Sequence, residues 1–158
     1  MGDLDDSPRR WEVLMRALIV EARSATAHRD VPVAAAVVDS SGRLLAVRHN
    51  EKEKLSDPTA HAELLAIRDA ARVLGSWHLE GTSLVCTLEP CNMCAGAVIS
   101  ARMDLVVFGA PDPKAGACGS LYNLCADPRL NHEPEVVRGV LAQECGTLLE
   151  EFFRTLRP

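Results

Sequence analysis

Two short segments constrain this chain more than anything else in it: "SDPTAHAE", Ser56 to Glu63, and "LEPCNMC", Leu88 to Cys94. Each places a proline ahead of a helix-like pattern. Each also loads the start of that helix with side chains that bind metals, His61 in one case and Cys91 with Cys94 in the other. Cysteines three apart at a helix start present both sulfurs on one side of the first turn, where the unpaired N–H groups favour thiolate over thiol. A fold that serves both segments must bring two helix tips together. Glu63 adds a condition, because residues two apart on a regular helix point about 200° from each other. His61 and Glu63 can share a site only if the metal lies beyond the end of the helix, so that both side chains lean over its tip.

The rest of the chain supplies elements that can do this. Trp11, Leu14, Met15, Leu18, Ala22 and Ala25 fall on one helical face. "VPVAAAVVD" and "RLLAVRHN", separated by "SSG", read as a strand hairpin. Asp57 is a candidate N-cap with Pro58 at the first helical position, and Leu64, Leu65, Ile67, Ala71 and Leu74 carry that helix to Gly75. "TSLVCTL" reads as a buried strand, Pro90 opens a helix from Cys91 to about Ala101, and "DLVVFGA" is a strand again. A Gly- and Pro-rich loop follows, then a short helix near Leu121 to Cys125 and a short strand at "EVVRG". A last helix carries Leu141, Cys145, Leu148, Leu149, Phe152 and Leu156 on one stripe. The expected architecture is a three-layer α/β/α domain over residues 1–158, with a central mixed sheet of about five strands and a disordered N-terminal tail of eight residues.

Composition narrows the setting. The chain has 158 residues, enough for one core, and no apolar run approaches the roughly 18 residues of a membrane helix. "MGDLDDSPRR" lacks a secretory h-region, so a soluble, cytoplasmic protein with no membrane partner is expected, and its six cysteines are read as thiols or metal ligands. A net charge of -5 argues against broad nucleic-acid binding and leaves room for a local basic patch.

His61, Cys91 and Cys94 make three zinc ligands, and a fourth position left to water marks a catalytic site. Closure by a further thiolate, Cys86 or Cys118, would instead make the site structural. The combination of "HAE" with "PCxxC" resembles the signature of the zinc-dependent cytidine and nucleobase deaminases. Among these the chain is most similar to the bacterial tRNA-specific adenosine deaminases. The similarity runs from about Trp11 to Phe153 through "DVPV", "DPTAHAE", "TLEPCNMCAGA", "VVFGA", "GSL" and "LNH".

The resemblance implies a cytidine-deaminase-like fold, one Zn2+ per subunit, and hydrolytic conversion of the wobble adenosine to inosine in the ACG anticodon stem-loop of an arginine tRNA. Water activated at the metal would attack the ring carbon bearing the amine, with Glu63 carrying the proton. The resemblance further makes Asn50 a contact to the flipped base, the backbone near Ala60 and Leu88 a pocket wall, and Asp112 a contact to a neighbouring ribose. Lys114, with Arg129, Arg138, Arg154 and Arg157, is a candidate for phosphate contact. A homodimer is implied as well. The chain departs from the family pattern at Ala34, Glu51, Pro111 and Pro113. Those departures and the acidic charge suit a second reading, deamination of a free nucleobase or nucleoside. A third is a zinc-stabilised interaction module without activity.

Overall fold

The computed structural model describes residues 8–158, so the expected N-terminal tail lies outside the described residues except for Pro8, which begins the first helix. In order, the elements are α1 (Pro8–Arg23), β1 (Ala34–Val38), β2 (Leu44–His49), a single turn α2 (Lys52–Leu55), α3 (Ala62–Leu74), β3 (Ser83–Leu88), α4 (Asn92–Ser100), β4 (Leu105–Ala110), β5 (Glu135–Val137) and α5 (Ala142–Leu156). The five strands form one sheet in the order β2-β1-β3-β4-β5. β1 runs antiparallel to both β2 and β3, whereas β3, β4 and β5 are parallel, which makes the sheet mixed.

Strand periodicity divides the core into two layers. On β1, Ala35 and Val37 face a cluster with Ala62, Ala66 and Ala70 of α3 and Ala95 and Val98 of α4. Ala34, Ala36 and Val38 face the opposite way, against Trp11, Met15 and Leu18 of α1 and Cys145 and Leu148 of α5. Successive side chains of a strand point to opposite faces, so a strand apolar at every position must be covered on both. All five residues of β1 are buried, and the helices supply the two covers. Gly109 on β4 lets α5 lie close, since a Cβ there would fall 2.4 Å from the Cys145 sulfur and 2.9 Å from the Thr87 carbonyl.

Pairing also collects one rim of the sheet. Parallel register sets Leu88 at the end of β3 opposite Ala110 at the end of β4. Antiparallel register sets Ala34 at the start of β1 opposite His49 at the end of β2. The segments leaving these points are those that carry the candidate site residues.

Two expected boundaries move. Asp57 and Pro58 do not start α3: Asp57 Oδ1 accepts the Thr59 N–H at 2.8 Å and its hydroxyl at 2.7 Å, closing a local turn, and the helix begins only at Ala62. Asp–Pro is both an N-cap signal and a turn signal, and here the turn prevails. The segment near Leu121 to Cys125 forms only a 3-10 turn, Leu124–Ala126. Gly75 does terminate α3, with φ of 64° in the left-handed region that glycine adopts at no steric cost.

Candidate active site

His61 is the last residue before α3, in an extended conformation (φ -71°, ψ 146°), and Glu63 lies in the first turn. The 200° conflict between them disappears because His61 stands outside the helix. Cys91 holds the corresponding place before α4 (φ -74°, ψ 177°), with Cys94 one turn in. The two tips meet: His61 Nδ1 is 3.6 Å from the Cys91 sulfur and 3.6 Å from the Cys94 sulfur. A tetrahedral zinc with ordinary Zn–N and Zn–S bond lengths holds its nitrogen and sulfur ligands about 3.6 Å apart, so the donors fit the ion.

Among the described residues, these three are the only His, Cys, Asp and Glu side chains gathered tightly enough to share a metal. The sulfurs considered as a fourth ligand are engaged elsewhere. Cys118 and Cys125 lie sulfur to sulfur at 3.7 Å, and the Cys86 thiol donates to the Val107 carbonyl at 3.8 Å. A metal held here keeps a coordination position for water, as catalytic zinc does.

The electrostatics suit that task. Hydrogen bonding with Cys94 pulls the Cys91 thiol down to about 3 against the effect of burial, with His61 assisting. The same bond, with burial, pushes Cys94 upward. A divalent ion held between the two sulfurs would favour both as thiolates. Burial pushes the Glu63 carboxyl up to about 7, with its own backbone N–H and His61 pulling the other way. A carboxyl that titrates near neutrality can both accept and return a proton.

His61, Glu63 and Cys91 line a cleft of about 270 Å3, and Asn50, Leu88 and Asp112 line it with them. Asn50 is built into the wall: its Oδ1 accepts the Ala62 N–H at 2.8 Å, and its Nδ2 donates to the Val31 carbonyl at 3.1 Å. One Nδ2 proton is left over from these two bonds for a guest in the cleft. Asp112 Oδ1 accepts the N–H groups of Lys114 (3.0 Å) and Ala115 (3.2 Å), holding its loop in a turn. Ala60 and Lys114 are not among the lining residues. Ala60 is buried behind the wall, its carbonyl accepting the Glu51 N–H at 3.0 Å. Glu51, an acidic departure beside Asn50, is matched by Arg48 (2.8 Å) and Lys54 (3.3 Å) and places no unpaired charge at the site.

Three of the lining residues that sequence reasoning missed bear on the shape of the cleft. Asp30 accepts the N–H groups of Glu53 (3.0 Å) and Lys54 (3.3 Å) at the start of α2 and pairs with His28 at 2.6 Å. Phe153 reaches the cleft from α5. Glu89, between Leu88 and Pro90, is a buried carboxylate that accepts hydrogen bonds from Asp112, Cys118 and Ser120. Its place next to "PC" was the available signal.

Residues 8–110 match the model of the cytidine and deoxycytidylate deaminase zinc-binding region. The chain belongs to this deaminase family. The tRNA-specific adenosine deaminase of Bacillus subtilis is 49% identical to it over 146 residues, covering 92% of this chain and 90% of the relative. That of Aquifex aeolicus is 42% identical, covering 92% and 95%. Among solved structures, one from a study of A-to-I editing by tRNA:A34 deaminases at the wobble position superposes with a TM-score of 0.82 at 41% identity, over 85% of this chain and 97% of the other. A guanine deaminase from Nitrosomonas europaea gives a TM-score of 0.74 at 28% identity, over 89% and 83%. As a member of this family the chain is a zinc-dependent hydrolytic deaminase, with His61, Cys91 and Cys94 positioned for the ion.

Proposed function

We propose that this deaminase converts the wobble adenosine of a tRNA to inosine, acting on the anticodon stem-loop of an arginine tRNA with anticodon ACG. The observation that carries the reading is a tRNA-specific adenosine deaminase at 49% identity along nine-tenths of both chains. The shape of the site agrees with it: His61 and Cys91 are only partly buried, so the cleft reaches solvent where a flipped nucleotide would enter.

When bound, zinc is the Lewis acid that makes a water acidic enough to lose its proton near neutral pH. Glu63 takes that proton and delivers it to the ring nitrogen beside the attacked carbon; it then carries the remaining proton, from the hydroxyl now on that carbon, to the departing amine, so that ammonia leaves and a carbonyl remains. The spare Nδ2 proton of Asn50 reads an acceptor on the base edge, and the Leu88 end of β3 walls the ring. Asp112 approaches a neighbouring ribose, where a carboxylate accepting from a 2'-hydroxyl distinguishes RNA from DNA. Lys114, outside the cleft lining, and the surface arginines meet phosphate. The working unit in this reading is a cytoplasmic homodimer.

The test is direct. Purified holoenzyme is incubated with an ACG stem-loop and, separately, with adenosine, cytosine and guanine, and inosine and ammonia are measured. Inosine in the stem-loop is the expected result. Conversion of a free base or nucleoside with none of the stem-loop would establish the small-molecule reading instead.

A further inference from the structure

We propose that Glu89 is a positioning residue: its buried carboxylate locks the 111–120 loop onto the segment leading into α4, and so sets how far the substrate-facing wall stands from the metal ligands and Glu63. This rests on the reading above, in which Asp112 on that loop meets the nucleic acid.

Glu89 is 2% exposed and lies two residues before the ligand Cys91. Oε1 accepts the Asp112 N–H at 3.1 Å and the Ser120 hydroxyl. Oε2 accepts the N–H groups of Cys118 (3.0 Å) and Ser120 (3.1 Å). Four donors thus converge on two oxygens, and all four come from one loop. An ionised carboxylate accepts at every position, whereas an amide has one oxygen and would turn an NH2 towards two donors.

Among the described residues no Lys, Arg or His forms an ion pair with this carboxylate. Its charge is held by neutral N–H and O–H groups alone, in bonds stronger than neutral ones. An apolar contact of similar size can hold a loop as well, because a buried charge must first lose its water. What the carboxylate adds is defined placement of three backbone amides from Asp112 to Ser120.

The loop closes tightly around it. A Cβ on Gly116 would fall 2.4 Å from the Glu89 carboxyl carbon and 2.5 Å from the Asp112 carbonyl. The same loop is fastened to the metal segment directly, through a backbone bridge between Gly116 and Cys91 and through the Ala117 N–H, which donates to the Pro90 carbonyl at 2.8 Å. The metal ligand and the substrate wall are therefore one mechanical unit with Glu89 at its centre.

The test uses zinc-loaded Glu89→Gln, measuring zinc content, amide exchange, and KM and kcat on the ACG stem-loop. We expect full zinc occupancy and faster exchange at Asp112, Cys118 and Ser120 with α4 unchanged. KM should rise roughly tenfold while kcat stays within about threefold, because lost uniform binding appears in KM. Adding Glu89→Gln to Asp112→Ala should raise KM by much less than it does in the wild type, since residues acting through one contact are not additive. Ser120→Ala, which removes one hydrogen bond to the carboxylate and no charge, should move KM the same way by a smaller factor if Glu89→Gln folds poorly. Unchanged KM with unchanged exchange would overturn the proposal, as would a fall in zinc content that accounts for the loss. If the wild type leaves the stem-loop untouched, the substrate reading fails on its own, and the exchange pattern still decides whether Glu89 holds the loop.

Discussion

The two helix tips that meet at the metal do the same job by different means. The tip of α3 is held by a side chain from elsewhere, the Asn50 amide on the Ala62 N–H at 2.8 Å, because its own N-cap position is taken by a histidine turned to the metal. The tip of α4 is held mainly by backbone, through the Cys91–Gly116 bridge and the bond from Ala117 to Pro90. At α3 the problem solved is capping, since His61 stands at the N-cap position without a cap bond and Asn50 serves the Ala62 N–H instead; at α4 it is the placement of the segment that carries Cys91. The side-chain solution can be removed by one substitution that leaves the space open. The backbone solution can be disturbed only by forcing the loop away.

The largest effect should come from a change that leaves both tips in place. Glu63→Ala is expected to keep its zinc and its melting temperature while kcat falls roughly 10²- to 10⁴-fold, the usual worth of a positioned acid–base group. Turnover equal to wild type, measured beside metal content, would remove Glu63 from the chemistry. Stripping the metal with a chelator tests both tips together. Stabilisation of about 4 kcal/mol is expected when free zinc stands 1,000-fold above its Kd, and should vanish on chelation and return on adding zinc. A calorimetric scan insensitive to zinc would mean that the tips do not depend on a shared ion.

Smaller effects separate the tips. Gly116→Ala should cost about 1–3 kcal/mol by overpacking the α4 side against Glu89. Asn50→Ala should cost a similar amount, about 1–3 kcal/mol, by leaving the Ala62 N–H unsatisfied, and Asn50→Asp should recover part of it because the acceptor remains. Denaturant titration of the three variants would show whether the tips differ as described. The smallest effect concerns α2, beside the α3 tip. Burial raises the Asp30 carboxyl, but hydrogen bonds from Glu53, His28 and Lys54 outweigh it and hold it below its ordinary value of 3.8. A carboxylate depressed in the folded state contributes stability that is present above its unfolded value and is lost as the pH falls through the folded one. Asp30→Asn should therefore be less stable than wild type at pH 7, with the gap closing as the pH falls below about 4. A gap that persists unchanged to pH 2 would contradict this.

The sheet, the main helices and the metal set were legible because they rest on periodicity and on residue types with few other uses. The apolar run of β1 announced a strand, which the fold covers on both faces, and the stripe of α5 announced one covered side. The start of α3 was misplaced because "SDPT" serves a turn as well as it serves a cap, and only the demand that His61 face the metal decides between them. α2 has four residues, "KEKL", too few to show a period. Glu89 was hidden for another reason: its partners lie 23 to 31 residues downstream, and three of the four donors are backbone N–H groups, which every sequence supplies. Asn50 was singled out as a reader of bases, and its bond to Ala62 could not be foreseen without knowing that His61 gives up the capping role.

Gly109 reaches further than its size implies. Any side chain there would have to pry the last helix away from β4, and Phe153, which that helix carries to the cleft, would travel with it. The opening through which a guest passes can thus be adjusted from β4, by a substitution at a position that does not itself line the cleft. A laboratory seeking a roomier or a stricter enzyme could begin at that position.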